Sequence, residues 1–328
     1  MKSATFGLCA AVALTAGVHA QSLVAEADLT AGRSTDGASA GGVQARVLGP
    51  IGHGWRMTLE GTWAGTTNDD SDAFGAAFPY DGRFQPMETY VETNVRARGP
   101  LLAVKAGRYR VPFGISSRAD HGYSGFVRAP LIRYGGNFAL SNTALEAGGD
   151  VLLGRPSLSV ETSVGTPVDA GDATRPHTVD LVVRTQAFYR SVIIGVSYLD
   201  TRPNPIGPFV DGRTRFGGVD ARWMRGGIEL RGEWIAGRPF DGVTTTGGYL
   251  DVIAHRMWMG PVTVVGRVER LDYDAGPFSM HPRRYTAGAR IRVAQQLAIQ
   301  VNVLHQPSGL ADGRTVALDA GLTETIRF

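Results

Sequence analysis

The chain ends with TVALDAGLTETIRF, residues 315 to 328, in which apolar residues occupy nearly every even position. They are Val316, Leu318, Ala320, Leu322, Ile326 and Phe328, and most of the residues between them are polar. A spacing of two is the side-chain period of a β-strand, so this segment has one apolar face and one polar face. The stretch therefore predicts a terminal β-strand, and what its apolar face contacts must be found in the rest of the chain.

The first twenty residues predict export. Lys2 precedes an apolar run with small residues, and Val18-His19-Ala20 has the small-x-small pattern of a signal peptidase site. We expect residues 1–20 to be a signal peptide and the mature chain to begin at Gln21. The single cysteine, Cys9, lies in the apolar run, so disulfides, Cys-ligated zinc and thiol catalysis are excluded from the expected mature chain.

The charge balance argues against a nucleic-acid partner. The sequence has 33 basic and 30 acidic residues, and removal of Lys2 leaves a net charge of +2.

Beyond the signal segment, no apolar run approaches the roughly 20 residues that a membrane-spanning helix needs. The 44 glycines and 17 prolines, without a helical period, favour an all-β chain.

Clean alternation recurs along the whole mature sequence. In WRMTLEGTWAG, residues 55 to 65, Trp55, Leu59 and Trp63 fall on one face, with Arg56 and Glu60 on the other. Sixteen such segments are centred near Ala27, Ala45, Leu59, Val95, Val104, Ala147, Val160, Val183, Ile194, Ala221, Leu230, Val252, Val264, Ala289, Val301 and Leu322. An even number of strands suits a closed antiparallel barrel.

The lengths of the connections and the placement of the charges indicate the kind of barrel and which face of its strands contacts lipid. Every second connection is short, and the longer ones between them include residues 65–86, 112–142, 200–214 and 273–283. This alternation is typical of outer-membrane barrels. One face of the strands is charged, and sixteen strands enclose a lumen too wide for side chains to fill, so the apolar face must contact lipid. We predict an all-β transmembrane antiparallel β-barrel of about sixteen strands over residues 21–328.

Two motifs resemble a known group of proteins. GRYRVPFG, residues 107 to 114, resembles the strand-end motif of the phosphate-selective porin O/P superfamily. The terminal strand closing on Phe328 resembles the signal that the barrel assembly machinery reads in porins. The resemblance implies a homotrimeric channel in the bacterial outer membrane, with lipid, the assembly machinery and small solutes or anions as partners and no cofactor. Residues 112–142 contain no lysine, so the phosphate selectivity of the superfamily is not expected here.

By the same resemblance, the long segment 112–142 would fold into the lumen as a constriction loop. Its apolar residues favour this over the alternative, a solvated loop outside the barrel. The predicted pore and constriction residues are Arg96, Arg98, Lys105, Arg118, Asp120, Arg128, Arg133, Arg267, Arg290 and Arg292. Because arginine and lysine rings favour anions, we expect a passive diffusion channel for small hydrophilic solutes with a mild anion preference.

Two other classes of function remain open. An outer-membrane hydrolase would need a nucleophile and a base on adjacent strands, and the candidate bases are His255 and His305. No serine pairs convincingly with either histidine, and the seven histidines lack metal-ligand spacing, so we expect no catalytic residues and no metal. A structural or adhesive barrel without channel activity is the third possibility.

Overall fold

A computed structural model describes residues 23–35, 39–66, 84–96, 101–115, 125–133, 145–167, 180–201, 213–239, 242–255, 260–307 and 316–327. The expected signal peptide and Phe328 lie outside these ranges. Within them the strands are β1 (Val24–Ser34), β2 (Ser39–Gly52), β3 (Trp55–Thr66), β4 (Phe84–Arg96), β5 (Leu101–Arg110), β6 (Leu145–Arg155), β7 (Leu158–Pro167), β8 (Asp180–Tyr189), β9 (Val192–Thr201), β10 (Thr214–Arg225), β11 (Ile228–Arg238), β12 (Thr244–Ala254), β13 (Val262–Ala275), β14 (Phe278–Met280), β15 (Arg283–Arg292), β16 (Leu297–His305) and β17 (Val316–Arg327).

The strands form one closed antiparallel barrel. Each strand pairs with its sequence neighbours, and β1 pairs with both β2 and β17, so the sheet has no free edge. The short β14 and the longer β15 pair with successive parts of β13, so together they occupy one position in the wall. The barrel therefore has sixteen strand positions, as the alternation predicted, and every predicted segment centre lies in a strand.

The faces of the strands are arranged as the sequence indicated. On β11, Leu230 and Trp234 are exposed on the outside, whereas Glu229, Arg231 and Glu233 are buried on the inside. On β17, Val316, Leu318, Ala320 and Leu322 also lie on the exposed outer face. A soluble sheet hides its apolar face, and this barrel does the reverse. The apolar face of the terminal strand therefore lies on the outside of the barrel.

One predicted loop is largely strand. We expected residues 273–283 to be a long loop, but β13 continues to Ala275 and turns at Gly276 into β14. Alternating Tyr273 and Ala275 give this extension the same period as the strand below it, and the Gly-Pro at 276 and 277 provides the turn. Among the described residues, no helix is long and apolar enough to cross a membrane.

Candidate functional site

Two segments that follow β5, residues 111–115 and 125–133, pack against the inner face of the barrel. We call them the inner segments. Their apolar side chains join inward residues of six strands in one buried cluster, formed by Val111, Phe113, Leu131, Ile132, Val182, Leu199, Phe216, Ile235, Tyr249 and Leu271. The Phe113 ring lies over Gly218 of β10, where a side chain would collide with it at 2.9 Å. The alternative of a solvated loop outside the barrel therefore does not describe these two segments.

Backbone hydrogen bonds fasten the first inner segment to the wall. The Gly114 amide donates to Ser197 Oγ on β9 at 3.0 Å, and the Ile115 amide donates to Glu233 Oε2 on β11 at 3.2 Å. Both acceptors are buried inward side chains. A buried backbone N–H without a partner is costly, so these contacts fix the position of the chain as it leaves β5.

The second inner segment is fastened more extensively. Asn302 on β16 accepts from the Val127 amide at 2.6 Å and donates to the Gly125 carbonyl at 3.0 Å. The Leu131 amide donates to Glu269 Oε2 on β13 at 2.6 Å. Two wall arginines donate to carbonyls of the same segment, Arg267 to that of Arg128 and Arg284 to that of Ala129. The segment is therefore held by three neighbouring wall positions.

Arg128 is the anchor of this segment. Its Nε donates to Asp319 Oδ2 at 2.7 Å and its Nη2 to Asp319 Oδ1 at 3.0 Å, and Nη2 also reaches Ser34 Oγ on β1. A bidentate pair of this kind fixes the relative orientation of the two side chains as well as pairing their charges. We expected Arg128 to contribute a free positive charge to the constriction, but the buried Asp319 compensates it. Arg128 thus acts as an attachment point.

Arg267, another predicted pore residue, is also compensated. Its guanidinium binds Asp251 at 2.6 Å and lies 3.9 Å from the centre of the Phe126 ring. Arg231 shares the same Asp251 carboxylate from β11. Arg267 therefore contacts the second inner segment from the barrel wall, and only 1% of its side chain is exposed.

The contacts described for the inner segments lie on one side of the barrel. These contacts run without interruption from β8 through β17 to Ser34 on β1. The contacts given above include no inward side chain of β2 to β7. We call this part of the inner face the open wall.

Three cations project from this open wall over buried acids. Arg46 binds Glu60 at 2.5 Å, Arg110 binds the same carboxylate at 3.2 Å, and Lys105 lies 4.0 Å from Asp150. The side chains of the cations are 33%, 13% and 18% exposed, whereas those of Glu60 and Asp150 are 0% and 3% exposed. Solutes in the lumen would meet the cations first.

Aromatic rings hold Lys105 in place. Its ammonium lies 5.2 Å from the centre of the Tyr90 ring and 5.1 Å from that of Tyr109. The Tyr109 hydroxyl in turn is 2.7 Å from Ser163 Oγ on β7. Two partly exposed acids, Glu88 and Glu92, share this wall, and Glu92 is directly opposite Lys105. The excess of accessible positive charge is therefore small.

The remaining predicted site residues are distributed differently. Arg290 is half-buried on β15, and Arg292 is exposed near the end of that strand. Arg98, Arg118 and Asp120 lie outside the described residues, as do the side chains of Arg96 and Arg133. These five therefore stay predictions.

Sequence reasoning missed the wall residues that receive the inner segments. Asn302, Glu269, Asp319 and Arg284 all face inward, and Arg284 is completely buried. The alternation of inward and outward residues along each strand, which we call strand parity, identifies each of the four as an inward residue. This was the signal that the sequence offered for them. Parity does not show which inward residue a loop more than a hundred positions away contacts.

A further ion pair crosses the inner wall from β8 to β10. Arg184 Nη2 donates to Asp220 Oδ1 at 2.8 Å, across Gly195 of β9. A Cβ at Gly195 would collide with both carboxylate oxygens of Asp220, at 2.7 Å from Oδ1 and closer still to Oδ2. A side chain at this position would therefore displace the carboxylate of Asp220 from its pair with Arg184.

Gly195→Val should destabilise the barrel, because it displaces Asp220 and breaks a buried pair, at a cost of about 3–5 kcal/mol. The midpoint of urea unfolding of the refolded protein in detergent measures this. Gly217→Val is the matched control, since a Cβ at Gly217 on the outer face of β10 meets nothing within 4 Å. Equal midpoints for the two variants would contradict the prediction.

Comparison with known proteins supports the fold. No protein-family model matches the sequence, and no curated protein matches it. Among solved structures, OprB of Pseudomonas putida is similar, with a TM-score of 0.65 at 10% identity over 93% of each chain. An anion-selective porin from Comamonas acidovorans gives 0.60 at 11% identity, covering 93% of this chain and 99% of that one. The trimer form of OmpT, an outer membrane protein of Vibrio cholerae, gives 0.61 at 8% identity over 94% and 98%. The chain has the barrel fold of these proteins.

Proposed function

We propose that the chain is an outer-membrane porin, a passive diffusion channel for small hydrophilic solutes with a mild anion preference. The observation that carries this proposal is the open inner wall of β2 to β7, where partly exposed cations lie over buried carboxylates. A barrel of sixteen strand positions encloses more space than its own side chains fill. The inner segments would narrow this space from one side and act as the constriction, within residues 112–142.

The ion preference follows from which charges the solute meets. Arg46, Arg110 and Lys105 reach into the lumen, and their partners Glu60 and Asp150 are shielded beneath them. Glu88 and Glu92 offset part of this field, so the preference should be mild. The similar barrel from Comamonas acidovorans is an anion-selective porin, which agrees with the proposal.

Planar-bilayer recording of the refolded full chain tests the function. We expect stepwise conductance and, in a salt gradient, a reversal potential with the sign of anion preference. If the folded barrel gives no conductance, the proposed channel function is refuted. If the reversal potential has the sign of cation preference, only the proposed anion preference is refuted.

An enzyme is less well supported by the described residues. His255 Nε2 lies 3.2 Å from Glu229 Oε2, and Arg222 binds the same carboxylate. His305 stacks on Tyr285 on the outer face of the barrel. These contacts bring Glu229 and Tyr285 to the two candidate bases, and they favour neither a hydrolase nor an adhesive barrel.

The proposed partners follow from the resemblance to porins. They are outer-membrane lipid, the barrel assembly machinery acting on Phe328, and two further copies of the chain in a homotrimer. The similar structure of OmpT in its trimer form agrees with this oligomer. The narrower membership of the phosphate-selective porin O/P superfamily rests on the motif at residues 107 to 114. Crosslinking in native membranes should give a trimer band.

A further inference from the structure

The outer face of the barrel carries a group of charges where β9, β10 and β11 meet the long connections. We call it the rim cluster, and it consists of Asp200, Arg213, Arg215 and Arg238. Arg213 donates to both oxygens of Asp200 from Nε and Nη2, and Arg215 Nε lies 3.7 Å from the same carboxylate. One acid therefore serves two arginines.

The third arginine of the rim cluster increases the excess of positive charge. Arg238 is directly opposite Arg215 in the β10–β11 ladder and is exposed. Within the described part of the chain it has no ion-pair or hydrogen-bond partner. Like charges directly opposite each other on one face of a sheet are destabilising. An anion placed between the two guanidinium groups would remove this repulsion, and the planar fork of arginine suits a phosphate oxygen pair.

An open slot lies on the same face directly beneath the rim cluster. Gly217 and its ladder partner Ala236 on β11 form the floor, and Tyr198 lies opposite Gly217 on β9. A Cβ at Gly217 would meet nothing within 4 Å. The exposed rings of Tyr198 and Trp234 flank the slot, as aromatic residues do at the interface of a membrane. The open space above Gly217 leaves room for a hydrocarbon chain.

We propose that the rim cluster and this slot bind an acylated, phosphate-bearing lipid of the outer leaflet. The phosphate lies between Arg215 and Arg238, and one acyl chain lies over Gly217 and Ala236 between the two rings. Basic groups at the level of the head groups, next to an apolar surface, recognise anionic lipids in this way. The inference rests on the outer-membrane location of the proposed function but not on conduction, so bilayer recordings and lipid binding can fail independently.

A second outward arginine pair in the same barrel provides the control. Arg270 on β13 is directly opposite Arg283 on β15, and both are exposed. Asp272 binds Arg270 at 2.6 Å, and Asp274 lies two residues further along the same face. The two carboxylates balance the two arginines, so this pair should not recruit a phosphate.

The experiment uses the full chain refolded into phosphatidylcholine vesicles with one of three additions. These are a phosphorylated, acylated glucosamine disaccharide, the same lipid without its phosphates, and inorganic phosphate. The readout is the temperature at which the folded form converts to the unfolded form on a gel, as a function of the added compound. The variants are Arg238→Gln, Arg238→Lys, Gly217→Leu and the control Arg283→Gln, each first confirmed as folded by its mobility without heating.

We expect the phosphorylated lipid to stabilise the natural protein and the dephosphorylated lipid to have little effect. Arg238→Gln should weaken the apparent affinity by about tenfold, as loss of one charge-assisted hydrogen bond would. Arg238→Lys should give a smaller loss, and Arg283→Gln none. Gly217→Leu should weaken the effect of the lipid by a similar factor by filling the slot.

Two results would overturn the proposal. Equal stabilisation by the lipids with and without phosphate would show that the arginines play no part. A response to inorganic phosphate as strong as that to the lipid, unchanged in Gly217→Leu, would show a site for free phosphate instead of a lipid site.

Discussion

Arg128→Met should release the second inner segment and raise the single-channel conductance. The substitution leaves Asp319 as a buried charge without its main partner, and breaking such a pair costs about 3–5 kcal/mol. The Asn302 and Glu269 contacts remain, so we expect the segment to detach intermittently. Recordings should show larger and noisier open levels, and the temperature of heat-modified migration should fall.

A double substitution separates the loss of the pair from the loss of the buried charge. In Arg128→Met/Asp319→Leu both charges are removed, and apolar replacement of a buried pair is often nearly neutral. This variant should recover most of the stability lost in Arg128→Met and show quieter open levels. If Arg128→Met has the conductance and the unfolding temperature of the natural protein, the anchoring role of Arg128 is refuted.

The fold could be predicted because one simple signal repeats around the barrel. Along β11 the burial of Ile228 to Trp234 alternates between the two faces, and the apolar and charged residues of the sequence alternate with the same period. Outward residues contact only the surroundings of the barrel, so their apolar character is not disturbed by tertiary partners. The exception was β14, where the short Phe278–Met280 segment was too brief to show a period and its surroundings suggested a loop.

The candidate site was less predictable because its contacts are distant in sequence. Leu131 and Glu269 are 138 positions apart, and Arg128 and Asp319 are 191 positions apart. Parity correctly places Glu269 and Asp319 inside the barrel, yet it treats every inward charge as free. The charge count for the constriction therefore included Arg128 and Arg267, whose charges are compensated by Asp319 and Asp251. A cation is accessible when its side chain lies between the lumen and its acidic partner. That arrangement depends on packing and is visible only in the structure.

The ion preference should be lost when two cations are removed from the open wall. In Arg46→Gln/Lys105→Gln, Arg110 still binds the buried Glu60, so that carboxylate keeps a partner. Glu88 and Glu92 then dominate the accessible charge of β4. Each removed charge is worth about 1 kcal/mol to an ion passing at close range in water. The permeability ratio of chloride to potassium should therefore fall by about tenfold, which turns a mild anion preference into a reversal potential of cationic sign.

The control for this prediction removes the same net charge away from the lumen. Arg155→Gln/Arg190→Gln changes two exposed arginines, at the end of β6 and in the turn after β8. Charges there are screened over about 8 Å at physiological salt, so the reversal potential should stay close to that of the natural protein. If the two double variants shift the reversal potential equally, the preference arises from the overall charge of the barrel. If neither shifts it, Arg46 and Lys105 do not face the path of the ions, and the passage does not run along β2 to β7.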